Sequence, residues 1–193
     1  MTTLAVVRKK GQIAIAADTL TKWGTTKESA AYIANHEKIL HVGESYIALT
    51  GTTTFNLILR DYFASLETPP ALDSVHAIFR TWQELHAAMK ERYFLIPTED
   101  KEDDLESSRI HVLIANPHGI FGVGAHRTVQ EFTRFYAYGA GNEYAMGALW
   151  ASYDNPKLDA EALARLAIEC AIEFDDSTGG PITCYTLKEA RKR

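Results

Sequence analysis

The sequence predicts an α+β fold in which two antiparallel sheets pack face to face and helices cover both outer sides. Three observations predict it. Strands and helices arrive in blocks (strands, two helices, strands, two helices, one strand) and do not alternate, which argues against a doubly wound parallel sheet. The first two strands, residues 4–7 and 13–17, are apolar on both faces, the pattern of strands covered on both sides. Helical segments carry apolar stripes at helical spacing, so each buries one side and wets the other. A chain of 193 residues can bury one sizeable core, and the expectation is a single domain over residues 1–193.

The first strand, Leu4-Ala5-Val6-Val7, runs into the basic turn Arg8-Lys9-Lys10-Gly11, where Gly11 can take a positive φ. The return strand ends at Asp18, placed to lie near the start of the first. Residues 21–35 read as polar and irregular around Gly24. A second hairpin follows: Lys38-Ile39-Leu40-His41-Val42, the turn Gly43-Glu44-Ser45, and Tyr46-Ile47-Ala48-Leu49. Thr50-Gly51-Thr52-Thr53-Thr54 is a helix-start signal. The helix it opens, 53–66, has Phe55, Ile58, Leu59, Tyr62, Phe63 and Leu66 on one stripe, and Pro69-Pro70 lie beyond its end. A long second helix, 73–93, aligns Val75, Ile78, Phe79, Trp82, Leu85, Met89 and Tyr93.

The acidic run Glu99-Asp100-Lys101-Glu102-Asp103-Asp104 reads as a solvated loop, without the alternating ligands and turn glycine of a calcium loop. Residues 110–115 and 119–123 form a third hairpin about Asn116-Pro117-His118-Gly119. A strand over 132–138 ends in Gly139-Ala140-Gly141, and a short helix over 143–153 follows. Asp159 caps a helix over 159–174, with Leu163, Leu166, Ala167, Cys170 and Phe174 on its buried stripe. A polar turn, Asp175-Asp176-Ser177-Thr178-Gly179-Gly180, leads to a last strand over 181–187 and a basic tail over 188–193.

A formal net charge of −5 gives no basic patch that would make nucleic acid the main partner. No apolar run is long enough to span a bilayer, and no charged-then-apolar leader precedes Thr2, so the expectation is a cytoplasmic protein with no membrane contact. Cys170 and Cys184 read as reduced core residues. The histidines show no metal-ligand spacing, and His36 and His41 read as surface residues beside the lysine hairpin. No metal and no cofactor is expected.

The start of the chain carries chemistry of its own. Once Met1 is removed, the chain begins at Thr2, with a hydroxyl and a free α-amine on one Cα. The small side chain of Thr2 is what methionine aminopeptidase accepts, so no propeptide is needed. The amine has an ordinary pKa of roughly 7.7–8.0, so near neutral pH a fair fraction can take a proton from the hydroxyl.

Five segments then carry a resemblance. They are Thr2-Thr3 through Ala16-Ala17-Asp18, Lys38-Ile39, Thr50-Gly51, the pair Tyr138-Gly139-Ala140-Gly141 and Tyr144-Ala145-Met146-Gly147, and Asp175-Asp176-Ser177-Thr178-Gly179-Gly180. In this order, with these element types between them, the chain resembles the proteasome β-subunit family, which includes the HslV-type peptidases. Its length and bare Met-Thr start suggest a small bacterial homologue distinct from HslV. The resemblance covers nearly the whole chain and implies the four-layer αββα Ntn-hydrolase sandwich. It also implies a homo-oligomer of two stacked rings, six or seven subunits each, acting on peptides or unfolded proteins. No motif identifies an ATPase partner.

The resemblance implies a role for each matched residue. Thr2 is the expected nucleophile. Lys38 would stand beside its hydroxyl with Asp18 as partner, and the N–H of Gly51 would serve as oxyanion donor. Asp175 and Thr178 would orient the Thr2 amine, while Asp176 is expected to be solvated. Lys22, Leu49 and Thr53 would line the substrate groove. Two residues depart from the family pattern. Ala140 stands where a serine is usual, and Lys22 stands where Thr or Ser is usual and would turn a cation toward the groove, favouring acidic peptides. Two other readings stay open: a catalytically idle ring used as scaffold or chamber, and an Ntn amidase acting on small amides.

Overall fold

The computed structural model describes residues 2–96 and 104–190. Met1, the acidic run up to Asp103 and the end of the basic tail lie outside the described residues. The elements in order are β1 (Thr3–Lys9), β2 (Gln12–Ala17), β3 (Thr21–Trp23), β4 (Thr26–Glu28), β5 (Ile39–Val42) and β6 (Ser45–Leu49). Helices α1 (Thr53–Ala64) and α2 (Val75–Arg92) follow. Then come β7 (Val112–Asn116), β8 (Gly119–Val123), β9 (Val129–Phe132) and β10 (Phe135–Gly139). Helices α3 (Asn142–Ser152) and α4 (Ala160–Phe174) precede the last strand, β11 (Thr183–Lys188).

One sheet runs β10-β1-β2-β11 and the other β5-β6-β7-β8-β9, and neighbours in both are antiparallel. The side-chain alternation of β1 and β2 explains the layering. Leu4, Val6, Ile13 and Ile15 point between the sheets, where they meet Ile39, Leu113, Ala115 and Ile120. Ala5, Val7, Ala14 and Ala16 point the other way, onto Leu163, Ala164, Ala167 and Ile168 of α4. Alanines on both sides of that contact let helix and sheet approach closely. On the far side of the second sheet, Ile47, Val112 and Ile114 pack against Leu59 of α1 and Ile78, Trp82 and Leu85 of α2. The layers are therefore α3/α4, sheet, sheet, α1/α2. Fully buried side chains of the size of Leu4 and Ile13 each contribute roughly 1.5–3 kcal/mol.

Some expectations needed correction. The strand expected over 132–138 is two strands in different sheets, because the chain bends at Thr133-Arg134 and crosses from the edge strand β9 to β10. Residues 21–35 contain a small hairpin, β3 with β4, paired through Thr21↔Glu28. Val75, Phe79 and Phe174, expected in buried stripes, are exposed: Val75 opens α2 and Phe174 closes α4, and Val75 and Phe79 line a surface pocket. Cys170 and Cys184 are half-buried and unbonded to each other, and burial pushes the Cys184 thiol up to about 11.

Candidate active site

Thr2 stands at the start of β1 and is buried, with 6% exposure. Its carbonyl accepts the N–H of Ala140 at 2.9 Å. The register pairs Thr3 with Gly139. Gly139 has φ +108°, and a Cβ there would lie 1.8 Å from the Thr2 carbonyl oxygen, so the approach of β10 to the first residues requires glycine.

Asp18 ends β2 directly across from this start and is fully buried. Its Oδ1 accepts the Thr3 N–H at 2.9 Å and faces Lys38 Nζ at 2.8 Å. Its Oδ2 accepts the N–H groups of Leu20 and Gly179, each at 3.2 Å. Lys38 also donates to the Leu20 carbonyl at 2.6 Å, and its own carbonyl accepts Asn56 Nδ2 of α1 at 3.1 Å. Burial pushes the Lys38 ammonium below the ordinary lysine value, and the Asp18 charge and hydrogen bond pull it back up. Burial likewise pushes Asp18 up, against Lys38 and the N–H groups that favour its charged form.

Thr2, Lys22, Lys38, Leu49, Gly51 and Thr53 line one open cavity of about 1060 Å³. Gly51 has φ +114° and immediately precedes Thr52, the N-cap of α1, whose side chain makes no capping bond. The positive end of α1 therefore faces the cavity. Asp18 stands behind Lys38. Asp175 and Thr178 are off the cavity wall and connect to the first residues through Thr3. The Thr178 hydroxyl donates to Asp175 Oδ2, and Thr3 Oγ1 lies 2.6 Å from Thr178 Oγ1.

Lys22 and Asp176 depart from expectation. Lys22 Nζ lies 2.6 Å from Asp176 Oδ2, so the cation at the cavity is already paired and Asp176 is an ion-pair partner as well as solvated. Their separation of more than 150 residues hid the pairing from the sequence. Holding the charged form by Lys22 keeps Asp176 below the ordinary carboxylate value. His36 is also on the cavity wall, with Nδ1 2.7 Å from the Ile33 carbonyl. Arg60, not singled out from sequence, lines the same cavity and donates to Asn56 Oδ1 and to the carbonyls of Glu37 and Ile39. Its place about two turns into α1, on an exposed helix face, carried no signal in the sequence. Among the described residues no group of three or more His, Cys, Asp or Glu could hold a metal ion, and no helix is long and apolar enough to cross a membrane.

The fold has close relatives among solved structures. The chain is 61% identical to Thiobacillus denitrificans BPH and matches its structure with a TM-score of 0.94, covering 98% of this chain and 100% of that one. The same bacterial protein in complex with epoxomicin matches with a TM-score of 0.92 over 97% and 99% of the two chains, again at 61% identity. Eukaryotic HslV from Trypanosoma brucei matches at 17% identity and a TM-score of 0.69, over 97% of this chain and 99% of that one, which shows the shared fold. No protein-family model and no curated protein matches the chain. With its two antiparallel sheets between helical layers and its BPH relative, this chain belongs to the HslV-like proteasome β-subunit family and has the family's Ntn-hydrolase fold.

Proposed function

We propose that this chain is the subunit of a self-compartmentalising threonine peptidase. It works as a single domain, stacks in two rings of six or seven copies in the cytoplasm, and hydrolyses peptides or unfolded proteins. The observation that carries the reading is that Thr2 and Lys38 line one cavity while Asp18 binds Lys38 and the β1 backbone through the same oxygen. The complex of the Thiobacillus relative with epoxomicin supports it.

In this reading the free α-amine of Thr2 takes the hydroxyl proton as Oγ attacks a peptide carbonyl carbon. The Lys38 charge stabilises the developing alkoxide, and the N–H of Gly51 at the α1 end stabilises the oxyanion. The C–N bond then breaks, the departing amine takes the proton, and the acyl group stays on Thr2 as an ester. Water, deprotonated by the same amine, hydrolyses the ester and restores Thr2. Asp175 and Thr178 orient the amine, and Leu49, Thr53 and the paired Lys22 shape the groove. Trp150, Tyr144 and Phe174 are exposed on the outer layer of α3 and α4, apolar surface that an assembly would cover.

The test compares peptide hydrolysis by the wild-type protein with that by Thr2→Ala, alongside light scattering. The reading expects turnover that Thr2→Ala abolishes, in a particle many times the mass of one chain. Unchanged turnover in Thr2→Ala contradicts the catalytic part, and a monomer contradicts the ring.

A further inference from the structure

We propose that Thr3 is a positioning residue: its hydroxyl fixes the direction of the Thr178 hydroxyl, so that Thr178 presents a lone pair to the Thr2 amine. This rests on the threonine-peptidase reading above.

The argument is a count of protons. A hydroxyl has one proton to donate and two lone pairs to accept with. Thr178 donates its proton to Asp175 Oδ2. It cannot also donate to Thr3, so across the 2.6 Å separation of the two hydroxyl oxygens Thr3 is the donor. Thr3 in turn accepts the Gly141 N–H at 2.9 Å. The chain of donors runs one way: Gly141 N–H to Thr3, Thr3 to Thr178, Thr178 to Asp175. Among the described residues these bonds leave Thr178 one lone pair, and its hydroxyl is hydrogen-bonded to the residue next to Thr2.

Two further observations support a built arrangement. Thr3 is fully buried and Thr178 is 4% exposed, so water does not compete for these bonds. A Cβ on Gly141 would lie 2.9 Å from Thr3 Oγ1 and 3.2 Å from Thr178 Oγ1, so the glycine admits the backbone donor at the closest approach. Ala140, the neighbour of Gly141, brings no hydroxyl to this corner. The orientation of Thr178 therefore falls to Thr3. In this arrangement a lone pair aimed at the amine would favour its protonated form.

The experiment compares Thr3→Ser, Thr3→Ala and Thr3→Val in the full-length protein. It measures kcat, KM and the pH–rate profile on one peptide, with epoxomicin labelling of the wild type read by intact mass. Thr3→Ser and Thr3→Ala lose the same methyl and differ by one hydroxyl, so their comparison decides the matter even where Thr3→Val does not fold. Thr3→Ser is expected within about threefold of wild type. Thr3→Ala and Thr3→Val are expected to lose about 10- to 100-fold in kcat at unchanged KM, with the acid limb of the profile moved to lower pH. Equal kcat and equal pH profiles for Thr3→Ser and Thr3→Ala, with the wild type labelled on Thr2, overturn the proposal alone. A wild type that neither turns over peptide nor takes up epoxomicin overturns the peptidase reading, and this proposal with it.

Discussion

Asp18 and Lys38 form a buried ion pair, 2.8 Å between Oδ1 and Nζ, whose carboxylate oxygen also accepts the Thr3 N–H. One oxygen thus ties the lysine to the backbone of the first strand at Thr3, the residue after Thr2. Removing Lys38 leaves a fully buried carboxylate with only backbone donors. Lys38→Ala is expected to abolish peptide turnover and to destabilise the protein by on the order of 3–5 kcal/mol, read from denaturant unfolding. A Lys38→Ala protein as stable as wild type would mean that the pair is replaceable by water.

The same burial predicts a bell-shaped pH–rate profile. In the proposed mechanism its acid limb belongs to the Thr2 amine, which must lose a proton to act as base. Its alkaline limb belongs to Lys38, which must keep its proton to act as a cation. Burial lowers the Lys38 pKa, so activity is expected to fall as pH rises at a midpoint below the ordinary lysine value of 10.5. Stopped-time peptide hydrolysis across pH 6 to 11 in roughly half-unit steps reads both limbs. An alkaline plateau running past the ordinary lysine value would remove Lys38 from the role.

The pairing of Lys22 with Asp176 turns a specificity expectation into a conditional one. With Asp176 in place the groove cation is compensated at 2.6 Å, and no strong preference for acidic peptides is expected. Asp176→Asn uncovers the charge. The ratio of kcat/KM for an acidic over a neutral peptide is expected to rise several-fold, and the rise should shrink at high salt. Stability should stay close to that of the wild type, because Asp176 is largely exposed and solvent screens the pair. An unchanged ratio would place Lys22 away from the bound peptide.

Much of this was legible in the sequence, and the rest was hidden for physical reasons. Apolar residues on both faces of residues 4–7 and 13–17 foretold a strand pair between two layers, and Leu4, Ala5, Ile13 and Ala14 are divided between those layers as alternation requires. The bend at Thr133-Arg134 escaped notice because two polar residues inside an aromatic run carry no turn glycine or proline. Sequence reading put Lys38 beside Asp18 through the family motifs. It missed Thr3, a residue that reads as ordinary strand filler, because its role depends on where β10 and the turn after α4 place Gly141 and Thr178. It missed the Lys22 partner for the same reason, since long-range contacts leave no periodic trace.

Gly139 offers a test of the backbone frame. A side chain there meets the Thr2 carbonyl oxygen at 1.8 Å and must adopt φ +108°. Gly139→Ala is expected to displace the first residues from β10. The strained backbone alone costs about 1–3 kcal/mol, and peptide turnover should fall by at least about tenfold through misplacement of Thr2. Melting temperature and turnover measured together check both effects. Turnover retained at wild-type level would show that the start of β1 tolerates displacement.

The central claim is that Thr2, freed of Met1, is the nucleophile. The most direct measurement is intact mass after incubation with epoxomicin, the compound bound by the Thiobacillus relative, followed by peptide mapping. The account predicts chains lacking Met1 that carry one adduct each, mapped to Thr2 and absent from Thr2→Ala and Lys38→Ala. Chains that lack Met1 and carry no adduct on Thr2, while the same preparation hydrolyses peptides, would contradict it.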